Sequence, residues 1–370
     1  MTAAAPACET ELRIDLSALR SNHACLAARS GPAELAPVVK ADAYGLGADR
    51  IAPVLWELGA RTFFVARLGE GEALRARLGP HRSSAIYVLD GCPAGAAHRL
   101  IAADLAPVLN GLDQISAYAA AASGERRALP CALHIDTGIN RLGLRPEEAS
   151  ALARSLGPLQ KLKADLVMSH LACGSEPDHP MNARQLAALL ALRSEFPNAR
   201  FSLAASGGLF LDETYRLDLT RPGISLYGGG PFETPHPEIK AVASLTAPIL
   251  QIKSVRPGET IGYGRGFQAT DSLRIAIIAA GYADGVLRSA SPRGYAAFNG
   301  QNRRLLGRVS MDLIAVDMTD EPAAEPGLAV ELFGRYLALD DFAKACGSLS
   351  YEVLTRIAPR VRRTYLEHGL

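Results

Sequence analysis

The sequence predicts an α/β chain: an N-terminal (β/α)8 TIM-type barrel followed by a C-terminal, mostly-β domain. Three observations predict it. The first is length, because 370 residues exceed the roughly 250–300 at which a single core stops growing. The second is alternation: from residue 10 to about 232, short apolar runs rich in branched side chains alternate with Ala/Leu/Arg stretches of helical period. The third is a change of pattern after about residue 240, where β-like runs separated by Gly, Pro and Asp take over.

In chain order, the predicted barrel strands are Pro37–Lys40, Thr62–Ala66, Ala85–Leu89, Ala106–Leu109, Ala132–Ile135, Leu166–Ser169, Phe201–Leu203 and Asp218–Thr220. Between them lie amphipathic stretches at Asp49–Leu58, Glu70–Leu78, Leu112–Ala122, Glu147–Leu156 and Asn182–Glu195, each long enough for a crossover helix. A doubly wound sheet is the main competitor, but no G-x-G-x-x-G follows a strand. The later β runs are Ala241–Val255, Glu259–Ile261, Leu273–Ala280, Arg304–Val309, Leu313–Met318 and Ala329–Leu332, with helical pieces near Asp340–Ala345 and Tyr351–Ile357. The barrel is expected over 10–235 and the β-rich domain over 236–370, the latter joined by an N-terminal strand near 9–14. The Gly- and Pro-rich run from Gly228 to Pro237 is the expected linker.

Hydrophobic residues at 48% and charged residues at 21% are ordinary globular usage and exclude disorder and collagen-like repeats. Lys+Arg 39 against Asp+Glu 38 leaves a net charge of +1, so no global field recruits nucleic acid or an anionic membrane. A small-molecule partner is expected instead. The six cysteines are scattered without a C-x-x-C pair, which suits a reducing compartment. The first residues carry neither a basic nor an apolar leader segment, and no apolar run approaches the ~20 residues that span a bilayer. The expected location is cytoplasmic.

Barrel active sites sit at the C-terminal strand ends. The polar residues there are Lys40, Arg67, Asp90, Asn110, Asp136 with Arg141, His170, Ser206 and Arg221. A lysine ending an apolar strand would project into a partly desolvated barrel mouth, where cations such as Arg141 and Arg221 would favour the neutral amine that reacts with an aldehyde; a snorkelling surface lysine is the simpler alternative. Arg221-Pro222-Gly223-Ile224 could open a helix whose amides bind phosphate, with Ser206-Gly207-Gly208 adding a hydroxyl and a close backbone. A plain turn is the simpler alternative. A lysine with a phosphate cradle points to pyridoxal 5′-phosphate. His170, Cys173 and His179 could suggest a metal site, but a zinc amidohydrolase needs an early His-x-His that this chain lacks. No metal is expected. On spacing alone, Tyr263 reads as a turn aromatic and Tyr351 as a core residue.

The run from Val38 through Lys40, Asp42 and Tyr44 to Gly47 closely resembles the cofactor-lysine signature of the alanine racemases, pyridoxal phosphate enzymes of fold type III. In the family's order follow His134–Gly143, Ser169-His170-Leu171, Arg221–Gly228, Ile261–Gly264, Gly281–Gly285, Gly307–Asp312 and Ser350–Val353, so the resemblance covers residues 10 to 365. It implies an enzyme that interconverts L- and D-alanine, supplying D-alanine for peptidoglycan. It implies that Lys40 links to the cofactor and serves as base on one face of the substrate Cα. Tyr263 is then the acid/base on the other face, given across a homodimer interface to the other subunit's barrel. Arg221 faces the pyridine nitrogen, and His170 bridges Arg221 and Tyr263. Tyr44, Ser206, Gly223, Ile224 and Tyr351 hold the phosphate. Arg141 orients the cofactor's phenolic oxygen near the substrate carboxylate, which the Met311 amide of the partner subunit also contacts, with Asp312 supporting that loop.

Three positions depart from the family pattern. Many members carry a carbamylated lysine where this chain has His134, which cannot form that carbamate; a histidine there either orients Arg141 directly or leaves room for an anion. Ser202 stands where histidine is frequent and Ala205 where a polar residue is frequent. Among alternatives, basic amino-acid decarboxylases share the two-domain plan but set a carboxylate against the cofactor nitrogen, which Arg221 does not match. A non-catalytic carrier of the same barrel would lack the β domain and Tyr263.

Overall fold

The computed structural model describes residues 8–155, 157 and 159–367. Contacts divide the chain into two compact units, 23–226 and a second made of 1–22 with 227–370.

In the first unit six parallel strands run in sequence order, Thr62–Val65, Ala85–Val88, Ala106–Leu109, Leu129–His134, Leu162–Met168 and Arg200–Ser202. Glu34–Leu35 pairs with Leu219–Thr220. Parallel bridges from Val38 to Phe64 and from Ala205 to Arg221 join this pair to both edges of the six, so eight strands close into a ring. Closure removes the sheet edges. The strands read as unbroken apolar runs, and Thr62–Val65 is buried throughout, because helices cover the outside while side chains fill the inside. Phe64 and Tyr87 stack there with ring centroids 5.1 Å apart. Crossover helices at Ala48–Glu57, Leu68–Leu78, Leu112–Ala122, Pro146–Ser155 and Pro180–Leu190 follow the expected stretches. The last is shorter than its apolar pattern suggested, since turns replace the helix after Leu190.

The first strand differs from expectation. Regular pairing lies at Glu34–Leu35 rather than Pro37–Lys40, and Val38 contributes only a bridge. From Ala41 to Ala43 the backbone is left-handed, with φ between 51 and 56 and ψ between 47 and 50, and Tyr44 continues at φ 58. Four successive non-glycine residues in this region are costly.

In the second unit, Ala243–Val255, Leu273–Ile278, Ile314–Asp317, Gln301–Leu306, Tyr295–Phe298 and Ala329–Phe333 form a cyclic set of antiparallel pairings. The 13-residue strand Ala243–Val255 closes the ring because its first half pairs with Ala329–Phe333 and its second with Leu273–Ile278, across an irregularity at Ile249/Gln251. Glu11–Asp15 adds antiparallel to that long strand and parallel to Arg362–Leu366. Among the described residues no helix is long and apolar enough to cross a membrane.

Candidate active site

At the mouth of the first barrel the chain gathers cations faster than carboxylates. Lys40 begins the left-handed turn. Two carboxylates hold the turn: Glu70 accepts the amide hydrogens of Ala41 at 2.8 Å, Ala66 at 2.7 Å and Arg67 at 3.1 Å, and Asp42 accepts that of Ala48 at 2.7 Å. Tertiary acceptors thus offset a local preference that would straighten the backbone. Glu70→Ala leaves three amides without their acceptor. It is expected to lower stability by about 1–3 kcal/mol in urea titration and to slow the reaction of Lys40 with added aldehyde.

Burial, reinforced by Arg141, lowers the proton affinity of the Lys40 amine, with Glu70 and Asp90 opposing and Arg221 adding to the shift. Arg221 is buried just beyond the last barrel strand at 3% exposure. It donates to the Ser202 hydroxyl, to the Ser169 carbonyl at 2.5 Å and to the Leu203 carbonyl at 3.5 Å, and its guanidinium lies 5.9 Å from the Phe64 ring centroid. None of these acceptors is a carboxylate. Burial lowers its affinity for a proton to about 9, which leaves it a cation near neutral pH. Ser202, one of the departing positions, thereby links two strands: its hydroxyl receives Arg221 and donates to the Leu219 carbonyl at 2.6 Å.

Two histidines in this cluster stay neutral. Burial first, then Arg221, Arg141 and Lys40, pushes His170 down to about 3. Burial, then Arg221 and Arg141 against an opposing Asp136, pushes His134 down to about 4. His134 has an ordinary value of 6.5 when unfolded, so between 6.5 and 4 the unfolded chain binds the extra proton and stability falls with falling pH. The loss is expected to be of order a few kcal/mol across that window. Urea titrations at pH 7.5 and 5 should show His134→Gln losing less stability than the unmodified protein.

The turn after Arg221 is a single 3-10 turn, Ile224–Tyr227, and not the α-helix start that Pro222 suggested. Its amides converge nonetheless: Ser206 Oγ accepts those of Gly223 at 3.0 Å and Ser225 at 3.2 Å. Tyr44 comes from the left-handed turn to the same place, and a Cβ on Gly223 would stand 2.2 Å from its hydroxyl oxygen. Tyr44, Ser206, Gly223 and Ile224 therefore lie together as a small polar cradle. Arg141 and Arg221 lie close enough to Lys40 and His170 for their charges to lower the proton affinity of both.

Tyr263, Met311 and Tyr351 belong to the second unit. Tyr263 is 73% exposed in a one-turn 3-10 segment between Gly262 and Gly264, both at positive φ. A side chain at Gly264 would be strained and would meet Arg308 at 2.8 Å. Met311 is half exposed, and its carbonyl accepts the Ala283 amide at 3.0 Å. Arg360 ties Asp312 at 2.8 Å to Asp284, which it grips through two nitrogens. Tyr351 opens the Ser350–Thr355 helix, and desolvation, then Glu233 and Asp340, pushes its hydroxyl up to about 12. Sequence reading missed Glu70, whose only signal was its place three residues after Arg67 at a helix start. Among the described residues no cluster of His, Cys, Asp and Glu could hold a metal ion.

Comparison with known proteins supplies the family. The model of the alanine racemase N-terminal domain matches residues 14–231 and that of the C-terminal domain matches 242–365. An alanine racemase of Brucella abortus is 42% identical, over 96% of this chain and 93% of its own. A catabolic alanine racemase of Agrobacterium fabrum is 43% identical, over 97% and 92%. Among solved structures, alanine racemase from Bartonella henselae with covalently bound pyridoxal phosphate superposes with a TM-score of 0.92 at 35% identity, covering 97% of this chain and all of that one. The chain belongs to the alanine racemase family.

Proposed function

We propose that this protein is a pyridoxal phosphate-dependent racemase that interconverts L- and D-alanine by proton transfer on opposite faces of Cα. The observation that carries the reading is the buried Arg221, a cation with no carboxylate partner among the described residues, in a cluster with the proton-poor amine of Lys40. Such a site needs an anionic ligand with a hydrogen-bond acceptor for the arginine, and a phosphorylated pyridine aldehyde provides both. The Bartonella relative holds that cofactor covalently.

The residues present fit it. Lys40 would bind the aldehyde, Arg221 would face the ring nitrogen, and the Tyr44, Ser206, Gly223 and Ile224 cradle would take the phosphate. The bound cofactor would supply an electron sink for the Cα–H bond. Arg221 keeps its own proton and donates none to the ring, which restrains that sink and favours return of the proton over other fates. Lys40 Nζ holds or removes the proton on one face, and the Tyr263 hydroxyl does so on the other. Arg141 and the Met311 amide would take the substrate carboxylate.

We assign a homodimer with two-fold symmetry in which Tyr263 and Met311 serve the partner's barrel. Tyr282, Met311 and Leu313, all over 40% exposed, give that face the apolar character an interface core uses. D-Alanine made this way would feed peptidoglycan synthesis in the cytoplasm. The experiment is direct: D-alanine mixed with protein and pyridoxal phosphate should lose optical rotation to zero, and unchanged rotation would overturn the assignment.

A further inference from the structure

Among the described residues, Nε2 of His134 is a buried polar atom without a hydrogen-bond partner. His134 ends the strand Leu129–His134 with 6% of its surface exposed. Its Nδ1 lies 2.8 Å from Oδ1 of Asn110. Asn110 fixes the direction of that bond, because its Nδ2 donates to the carbonyls of Leu89 at 3.0 Å and Val108 at 2.9 Å. With both amide hydrogens committed, Oδ1 can only accept, so Nδ1 carries the imidazole hydrogen. A neutral ring then presents a bare lone pair at Nε2. A buried acceptor of this kind calls for a donor and repels an anion.

The loop carrying Arg141 is pinned to the same strand. The Leu144 amide donates to the His134 carbonyl at 2.8 Å, and the Asp136 amide donates to the Leu144 carbonyl at 2.8 Å. Gly143, at φ +118, lets the two segments touch, since a Cβ there would stand 2.7 Å from the Asp136 amide nitrogen. Asp136 braces the near side by accepting the amides of Gly138 at 2.9 Å and Asn140 at 3.0 Å. Arg141 is exposed and hangs from this short loop; its charge acts on the His134 ring after that of Arg221, whose terminal nitrogens already donate to Ser202, Ser169 and Leu203.

We propose that Asn110 holds His134 as the Nδ1–H tautomer so that Nε2 accepts an N–H of the Arg141 guanidinium, orienting Arg141 for the substrate carboxylate. His134 is then a positioning residue, and the space beside Nε2 takes a hydrogen-bond donor and excludes an anion. The proposal rests on the racemase reading for the substrate that Arg141 meets; the tautomer does not.

The test uses protein labelled with 15N in its imidazoles, followed by two-bond proton–nitrogen NMR before and after loading with pyridoxal phosphate, with the His134 signals assigned from their loss in His134→Gln. The expected spectrum is the Nδ1–H tautomer in both states at pH 7. An Nε2–H tautomer or an imidazolium would overturn the proposal. In kinetics, His134→Leu should raise KM for alanine about tenfold with a smaller change in kcat, and His134→Gln should recover most of that loss, because its amide both donates to Asn110 and offers an acceptor. Equal KM in the leucine and unmodified proteins, or turnover lost in chloride-free buffer and restored by added chloride, would contradict it. Should the leucine variant fail to fold, the spectrum and the glutamine variant still decide. Absence of turnover in the unmodified protein would count against the racemase reading, while the spectrum would still judge the tautomer.

Discussion

Lys40→Ala is expected to reduce racemisation by about 10⁴-fold or more, the largest loss of any single substitution in the chain, because under the proposed mechanism it would remove the covalent attachment and one of the two bases together. Lys40 is distinguished from other lysines by its place. It follows the Val38 bridge at the C-terminal mouth of the barrel, and its amine has lost proton affinity to burial and to Arg141. Lys161 and Lys163 stand exposed at the opposite, N-terminal end of the strand Leu162–Met168, away from the barrel mouth. Borohydride reduction of the loaded protein followed by peptide mapping should put the label on Lys40. A label on Lys161 or Lys163 would remove Lys40 from the mechanism.

Tyr263→Phe is expected to cost about 10²–10⁴-fold, the usual range for losing a positioned acid/base. The variant should still bind the cofactor and should exchange the Cα proton of one alanine enantiomer far faster than the other in deuterated water. Equal, undiminished exchange from both enantiomers would exclude the tyrosine. The variant also tests the shared site. In heterodimers of Lys40→Ala with Tyr263→Phe, one composite site would carry both lesions and the other neither, so some activity should return. Verified heterodimers without activity would mean that each site is built from one chain.

Much of the barrel was legible because a strand buried on both faces is a continuous apolar run, and Ala106–Leu109 and Leu112–Ala122 have the bounds their patterns suggest. The helix Leu16–Ser30 was missed. Its apolar pattern is broken by Asn22 and His23, which are nonetheless buried, and Asn22 both donates to the Lys240 carbonyl and accepts the Lys240 amide. The strand Tyr295–Phe298 was too short for alternation to register. Around the site, the lysine and the cation cluster could be read from strand ends. The left-handed turn of Ala41–Tyr44 could not, because local sterics argue against it and its support comes from Glu70, 29 residues away in sequence at Ala41. The part played by Ser202 was equally hidden, since a serine in a strand carries no sign that an arginine 19 residues later will bond to it.

The most direct test of the central claim is racemisation of D-alanine in deuterated water by the unmodified protein loaded with pyridoxal phosphate, read as optical rotation and as deuterium at Cα in the recovered alanine. The account predicts rotation falling to zero with deuterium at Cα in the L-alanine formed, and neither change with Lys40→Ala. A loaded protein labelled at Lys40 that leaves both rotation and Cα hydrogen untouched would contradict it.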